Sequence, residues 1–370
     1  MRNVLQQVLC EPSSHCPLEL ESFYIKEENG EHDVIDGILY RKDNGETYPI
    51  ISGVPIMVKE SFPRSFVEKY SEKISEVRRT IPLRIGITSE DDWSFSAEWQ
   101  QHFDGGVERT WGWTVSERFD QFLLELQIDT SWCQDKLILD AGCGNGALSE
   151  EISRNGAEVI GLDLSSSVLR AEGLRRSSSV HFLCGDLLLA PLKFNSFDAV
   201  FSIGVLHHTP DTRIAFNKMA PLVRPGGRLY VWLYRRPDSI LRGYIRTPLL
   251  DIARVLISRM DKNVKGKVVR TYARLVMGLH RRKNQSVRIP LKEYLVASYD
   301  DLTPRWRHYH NPIEVSRWYH ENGYSAAVLS HWDNPYGFGM VAVRDGKAAT
   351  PGIRFGTSPK LWDDRQTIIG

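Results

Sequence analysis

Leu137-Ile-Leu-Asp-Ala-Gly-Cys-Gly-Asn-Gly146 decides how this chain folds. A short apolar run ends in an acid, glycines alternate at 142, 144 and 146, and Ala147 to Arg154 follows with helical spacing. The stretch predicts a buried strand, a tight turn and a helix. Glycine enters backbone conformations closed to other residues and leaves room for a ligand against the chain, while the helix behind it offers free N–H groups and the positive end of its dipole. Such a turn binds nucleotides. Gly142-x-Gly144-x-x-Ala147 also fits the dinucleotide fingerprint, so on this stretch alone a hydride-transfer enzyme stays open.

Working outward, Gly156-Ala-Glu-Val-Ile-Gly-Leu-Asp163 reads as a second strand ending in a carboxylate seventeen residues beyond Gly146, placed to accept hydrogen bonds from two ribose hydroxyls. Either cofactor suits that acid. A third strand, Val180-His-Phe-Leu-Cys-Gly-Asp186, also closes on an acid, and the apolar run Phe197-Asp-Ala-Val-Phe-Ser-Ile-Gly204 leads into Val205-Leu-His-His-Thr-Pro-Asp211. Dinucleotide enzymes do not usually show this series. Residues 215–223 then read as a helix stopped by Arg224-Pro-Gly-Gly227, and Arg228-Leu-Tyr-Val-Trp-Leu-Tyr234 supplies a fifth strand.

This succession resembles the class I methyltransferases that use S-adenosylmethionine, of the type 11 or 12 kind, over roughly residues 90–345. The resemblance implies an α/β fold: a Rossmann-like sheet of seven strands flanked by helices, here with a small N-terminal β-rich domain and a helical insertion. It implies that Asp140, Gly142, Gly144 and Gly146 hold the methionine end of the cofactor, with Cys143 and Asn145 lining the same turn. Asp163, followed by Leu164 and Ser165, maps to the ribose, and Asp186 with Leu187 to the adenine amine. Ser202, Gly204 and His207 map beside the cofactor.

At 370 residues the chain exceeds a usual single domain, so a core of about 200 residues with additions is expected. The boundaries read as a small unit over 1–60, a helical lid or linker over 61–130, a core over 131–345 that contains an insertion over 235–300, and a flexible tail over 346–370. Formal net charge is +1, which points to no global affinity for nucleic acid, and no run of eighteen apolar residues or N-terminal apolar signal occurs. The five cysteines, at 10, 16, 133, 143 and 184, are odd in number and fit a reducing compartment, so a cytoplasmic location is expected.

Within residues 1–60, Gly37-Ile-Leu-Tyr40 and Thr47-Tyr-Pro-Ile-Ile-Ser-Gly-Val-Pro-Ile-Met57 read as short strands separated by turns. The Tyr-Pro-Ile and Gly-Val-Pro-Ile-Met pieces resemble the small zinc-knuckle domain that activates RNA and protein methyltransferases. That pattern carries two C-x-x-C pairs. Here Cys10 and Cys16 have a different spacing and the second pair, due near residues 40–44, is missing. Tetrahedral zinc takes four ligands. Cys10, His15, Cys16 and His32 could supply a set, but the expectation is a metal-free structural or docking module. Downstream, Phe95-Ser-Ala-Glu-Trp-Gln-Gln-His-Phe103 and Thr110-Trp-Gly-Trp113 concentrate aromatic rings; the first resembles a Phe-x-x-Glu-Trp element of fused bacterial enzymes, which puts Trp99 or Trp113 over the cofactor. Plain packing of a lid is the alternative.

Residues 235–288 carry fifteen Lys and Arg against three Asp, with apolar residues at helical spacing through 249–257 and 268–277. Three readings compete: a solvated helical cap over the substrate pocket, contact with an anionic membrane surface or lipid-linked phosphate, and RNA contact. The last lacks a recognisable RNA-binding signature. Asn311-Pro-Ile-Glu-Val-Ser-Arg-Trp-Tyr-His-Glu-Asn-Gly323 predicts a helix with an Asn cap and a glycine stop, residues 324–330 and 338–343 two last strands, and Tyr299-Asp-Asp-Leu-Thr-Pro-Arg-Trp-Arg-His-Tyr-His310 a loop that closes the pocket.

Methyl transfer from a sulfonium is an in-line displacement, so a hydroxyl acceptor must be aligned and relieved of its proton. His207 and His208 after the fourth strand are the candidate bases, with His310 or His308 reaching in from the closing loop. Ser202-Ile-Gly-Val stands where many amino-directed nucleic-acid enzymes carry Asn-Pro-Pro-Tyr, which favours an oxygen acceptor. The expectation is a biosynthetic O-methyltransferase acting on a small molecule, glycan or lipid-linked intermediate; the alternatives are an RNA base methyltransferase and a non-catalytic, cofactor-binding scaffold.

Overall fold

Strand Leu137–Ala141 runs parallel to Glu158–Asp163 on one side, pairing Ile138 with Val159, and to Phe197–Ile203 on the other, pairing Leu139 with Val200. Val180–Cys184 continues the parallel order beyond Glu158–Asp163. Ile138, Leu139, Val159, Ile160, Leu183 and Val200 have no exposed surface. Such double-sided burial is what parallel strands require, and it is why these segments read as continuous apolar runs. The computed structural model describes residues 1–28, 31–59, 61–88, 109–110, 113–165, 167–237, 247–283, 290–330, 334, 336–345 and 352–356.

The chain divides into two compact units: residues 1–99, 129–202 and 214–229 in one, and 100–128, 203–213 and 230–370 in the other. In the first unit the helix Ala147–Arg154 keeps its predicted bounds. Residues 1–60 cluster with the parallel strands rather than apart from them: the Met57 N–H donates to Cys184 O at 2.7 Å and the Cys10 N–H to Pro191 O at 3.0 Å. They form a four-stranded antiparallel sheet of Glu19–Glu28, Glu31–Tyr40, Thr47–Ile51 and Val54–Pro55, preceded by a helix, Asn3–Val8, that the sequence pattern does not announce. Phe23, Ile38 and Tyr40 of this sheet pack with Phe62, Phe66 and Tyr70. The expected lid thus begins as helices Arg64–Lys69 and Ser71–Arg78, the first of them bearing Phe66 in that cluster. Residues 95–103, with Trp99, lie outside the described residues, as do 111–112.

In the second unit, Val115–Leu126 starts at a reciprocal cap in which the Glu117 N–H donates to Thr114 Oγ1 at 3.2 Å and the Thr114 N–H to Glu117 Oε2 at 2.8 Å. Gly337–Val343 pairs antiparallel with Ala327–Ser330, and Ile353–Phe355 adds a strand parallel to the latter. That last strand corrects two expectations, since it is an eighth strand beside the predicted seven and it falls in the segment read as a tail. Three residues of backbone pairing outweigh a lack of hydrophobic period. Among the described residues the basic insertion forms three helices, Thr247–Ser258, Lys262–Lys283 and Leu291–Leu302. The expected closing loop therefore starts four residues late, because Tyr299 to Leu302 finish a helix and bring Asp300 and Asp301 onto its last turn. Pro312–Glu321 is the predicted capped helix, with the Glu314 N–H donating to Asn311 Oδ1 at 2.8 Å.

The fourth and fifth predicted segments shift slightly. Thr212–Met219 is helical where residues 215–223 were expected to be, and the following strand runs from Val223 to Tyr234 through Arg224-Pro-Gly-Gly227. Glycine and proline mark that stretch as a stop, yet Arg224 finds Asp198 and Gly227 closes against Asp198 O, where a Cβ would stand 2.7 Å away.

Candidate functional site

In an open parallel sheet, ligands settle beyond the carboxyl end of the strand from which the chain order runs outward in both directions. In the first unit that strand is Leu137–Ala141, and the glycine turn begins at its end. The turn is tied to its neighbour by the Gly142 N–H, which donates to Leu162 O at 2.7 Å, and by the Cys143 N–H to the same oxygen at 3.1 Å. Gly146 sits at φ 71°, and a Cβ there would stand 2.4 Å from the Phe182 ring. Only glycine fits, on both counts.

The acids of the turn are held by backbone and hydroxyl donors. Buried Asp140 accepts from Ser149 Oγ at 2.7 Å, across the first turn of the following helix. Asp163 accepts the Gly144 N–H at Oδ2 and the Ser165 N–H at Oδ1, each at 2.9 Å. The Ser165 hydroxyl and the Leu164 N–H also face this carboxylate, so it is a fixed acceptor at the end of its strand. Burial raises the Asp163 pKa above its ordinary 3.8, hydrogen bonds from the Ser165, Gly144 and Leu164 amides and the Ser165 hydroxyl opposing it. Asp186 caps the short helix Leu187–Leu189 by accepting the Leu188 N–H at 2.9 Å; Leu187 is buried, whereas Leu164 is exposed. Asn145 Oδ1 accepts the Ala147 N–H at 3.2 Å, and buried Ser165 lies against Ser167, whose hydroxyl donates to Gly144 O at 2.9 Å. The Ser202 hydroxyl donates to Ala141 O at 2.7 Å and has no exposed surface, so it joins two strands. Burial pushes the Cys143 thiol well above its ordinary value, which leaves it a packing group rather than a nucleophile.

The candidate bases lie in the second unit and differ from one another. Both ring nitrogens of His207 are buried and lack a hydrogen-bond partner; its ring meets Tyr234 at 3.9 Å between centroids, and burial holds its pKa well below 6.5. His208 faces two acceptors, Asp300 Oδ1 at 3.2 Å from Nε2 and Trp306 O at 3.0 Å from Nδ1, so both nitrogens are already engaged. His310 aligns its Nδ1 with Glu314 Oε1 at 3.3 Å, and its Nε2 is buried without a partner. Burial lowers the His310 pKa, against the raising effect of Glu314. His308 Nε2 meets Thr209 O at 3.0 Å. A cavity of about 450 Å³ opens beside His308 and His310 and is lined also by Arg213, Glu314, Arg317 and Trp318. Gly204, at φ 74°, has no heavy atom within 4 Å of a notional Cβ, so its backbone conformation alone calls for glycine.

Sequence reading missed the group that organises these histidines. Tyr234 donates its hydroxyl to Asp300, the Arg307 guanidinium lies 4.3 Å over the Tyr234 ring, and Arg307 Nη1 reaches Asp301 at 2.8 Å and Asp300 at 3.8 Å. Burial alone would raise the Asp300 carboxyl, but hydrogen bonding and charge from His208, then Arg307 and Tyr234, hold it down at about 2. The only signal in the sequence is the density of acids and arginines over 300–307. In the N-terminal sheet, Cys10 Sγ lies 3.3 Å from His15 Nδ1, burial raises its thiol to about 12, and no group of three or more His, Cys, Asp or Glu side chains among the described residues is placed to hold a metal. The zinc-knuckle resemblance therefore gains no support.

Residues 139–231 match the family model described as a methyltransferase domain. An uncharacterized methyltransferase of Mycobacterium bovis is 34% identical over 131 residues, which is 35% of this chain and 64% of that protein. A ubiquinone biosynthesis O-methyltransferase of Coxiella burnetii is 32% identical over 98 residues, 26% of this chain and 42% of that protein. The chain thus spans under two thirds of the length of these curated relatives. Among solved structures, magnesium protoporphyrin IX methyltransferase from Synechocystis PCC 6803 is 16% identical, with a TM-score of 0.36 over 76% of this chain and 99% of that one.

Proposed function

We propose that this protein is an S-adenosylmethionine-dependent methyltransferase that methylates oxygen on a small-molecule, glycan or lipid-linked biosynthetic intermediate. The observation that carries the reading is Asp163: a carboxylate at a strand end, fixed by the amides of Gly144 and Ser165 beside a glycine turn. The methyltransferase-domain match over residues 139–231 supports the same reading. When bound, the sulfonium supplies an electrophilic methyl group. Gly142, Gly144 and Gly146, with Cys143, Asn145 and Asp140, shape the wall for its amino-acid end, and Asp186 and Leu187 that for the adenine. For the acceptor's proton, His207 and His310 are the two of the four candidate bases with a buried ring nitrogen that lacks a partner, and burial keeps both neutral and able to accept. Glu314 then holds His310 in one ring orientation.

Calorimetric titration with S-adenosylhomocysteine and, separately, NADH tests this. Binding of the first alone is expected; binding of NADH alone would return the glycine turn to hydride-transfer enzymes. Asp163→Ala should weaken S-adenosylhomocysteine by about 10- to 150-fold, the loss of about 1.5–3 kcal/mol for hydrogen bonds to a charged group. Because the Asp163 pKa is raised, affinity should begin to fall on acidification at a higher pH than an ordinary aspartate would dictate, since the protonated carboxyl has lost an acceptor. Incorporation of labelled methyl groups into RNA rather than into small molecules or lipid extracts would overturn the acceptor class.

A further inference from the structure

We propose that the helices Thr247–Ser258 and Lys262–Lys283 seat this protein on an anionic membrane surface; the inference stands independently of the methyl-transfer reading. Each helix has two apolar faces. One is covered: Ile257 and Val269 pack with Leu302, and Ala273 packs with Tyr294 and Ala297 of the helix Leu291–Leu302. The other is open. Leu249, Ile252 and Leu256 recur at i, i+3 and i+7, Leu275 and Leu279 at i and i+4, and all five are more than half exposed. Core packing therefore cannot be why these five apolar side chains are there.

Charge selects the occupant. Residues 247–283 hold ten Lys and Arg against two Asp, in a chain whose net charge is +1. Lys267, Arg274 and Arg282 are exposed and, at 3.6 residues per turn, stand about 80°, about 100° and about 20° around the helix from Leu275, with Arg281 and Arg270 further round in the same direction. A second copy of this face would bring like charges together, and an RNA backbone would have no use for the leucines. An interface that is apolar within and anionic at its surface takes both. No helix among the described residues is long and apolar enough to cross a membrane, so the helices would lie along the surface.

The test is co-sedimentation of the full chain with phosphatidylcholine vesicles with and without phosphatidylserine. Binding is expected only to the anionic vesicles and should be lost in high salt, where charges are screened within a few ångströms. Each cation removed near such a surface weakens binding about fivefold, so Lys267→Gln with Arg274→Gln should cost about 25-fold. Leu275→Ser with Leu279→Ser, which leaves the charge unchanged, should also weaken binding while leaving the melting temperature nearly unchanged, because both side chains are more than half exposed. Equal binding to neutral vesicles, or none to either kind, overturns the proposal. So does a dimer in light scattering that the leucine variant dissolves, or RNA binding in fluorescence anisotropy that the cation variant loses and the leucine variant keeps.

Discussion

Asp300→Asn is expected to destabilise the second unit by about 3 kcal/mol at neutral pH, the low end for removing one partner of a buried ion pair. Asp300 is the anion that meets His208, Tyr234 and Arg307 together. Asparagine keeps the shape and can still accept from Tyr234, so what is lost is charge; Arg307 retains Asp301 at 2.8 Å, which is why the low end applies. The pH dependence has a definite sign. Holding the carboxyl at about 2 against an ordinary 3.8 is worth about 2 kcal/mol, present in full above the unfolded value and lost as pH falls from about 4 towards 2. Melting temperatures of the two proteins, measured by calorimetry from neutral pH to pH 2, should differ most at neutrality and converge on acidification. A constant gap would mean that packing of the side chain, not its charge, is what the cluster uses.

Gly146→Ala should be nearly as damaging, for a different reason. A side chain at φ 71° costs about 1–2 kcal/mol, and the new methyl would overlap the buried Phe182 ring, a further overpacking cost of about 1–3 kcal/mol. Gly204→Ala separates the two contributions, since its φ is 74° but nothing stands within 4 Å of the added carbon. Gly146→Ala should therefore lower the melting temperature distinctly more than Gly204→Ala does. It should also weaken S-adenosylhomocysteine, because relief of the clash moves the turn. Equal losses in the two variants would show that Phe182 yields freely and that backbone conformation alone demands glycine at 146.

Much of the first unit was legible because its signals are local. The apolar runs at 137–141, 158–163 and 180–184 became parallel strands, and the helix at 147–154 kept its bounds, since a glycine turn and a switch from a continuous apolar run to period 3.6 act over a few residues. What misled was also local. Arg224-Pro-Gly-Gly227 reads as a break, and the segment Ile353–Phe355 reads as tail, yet both are strands because partners from elsewhere satisfy their backbone. Propensity yields to tertiary pairing at such places.

The amino-acid sequence by itself determined the strand–turn–helix at 137–154, the acids closing its neighbouring strands and the helical apolar spacing of the basic segment, all of which follow from neighbours along the chain. Only the tertiary structure decided which histidine has a nitrogen to offer. His207 and His208 are adjacent and identical in type. One is sealed from water with both nitrogens unpartnered, while the other is held between Trp306 O and the carboxylate of Asp300, 92 residues away. Protonation and hydrogen bonding depend on burial and on partners brought from a distance, and those are properties of the packed chain rather than of any stretch within it.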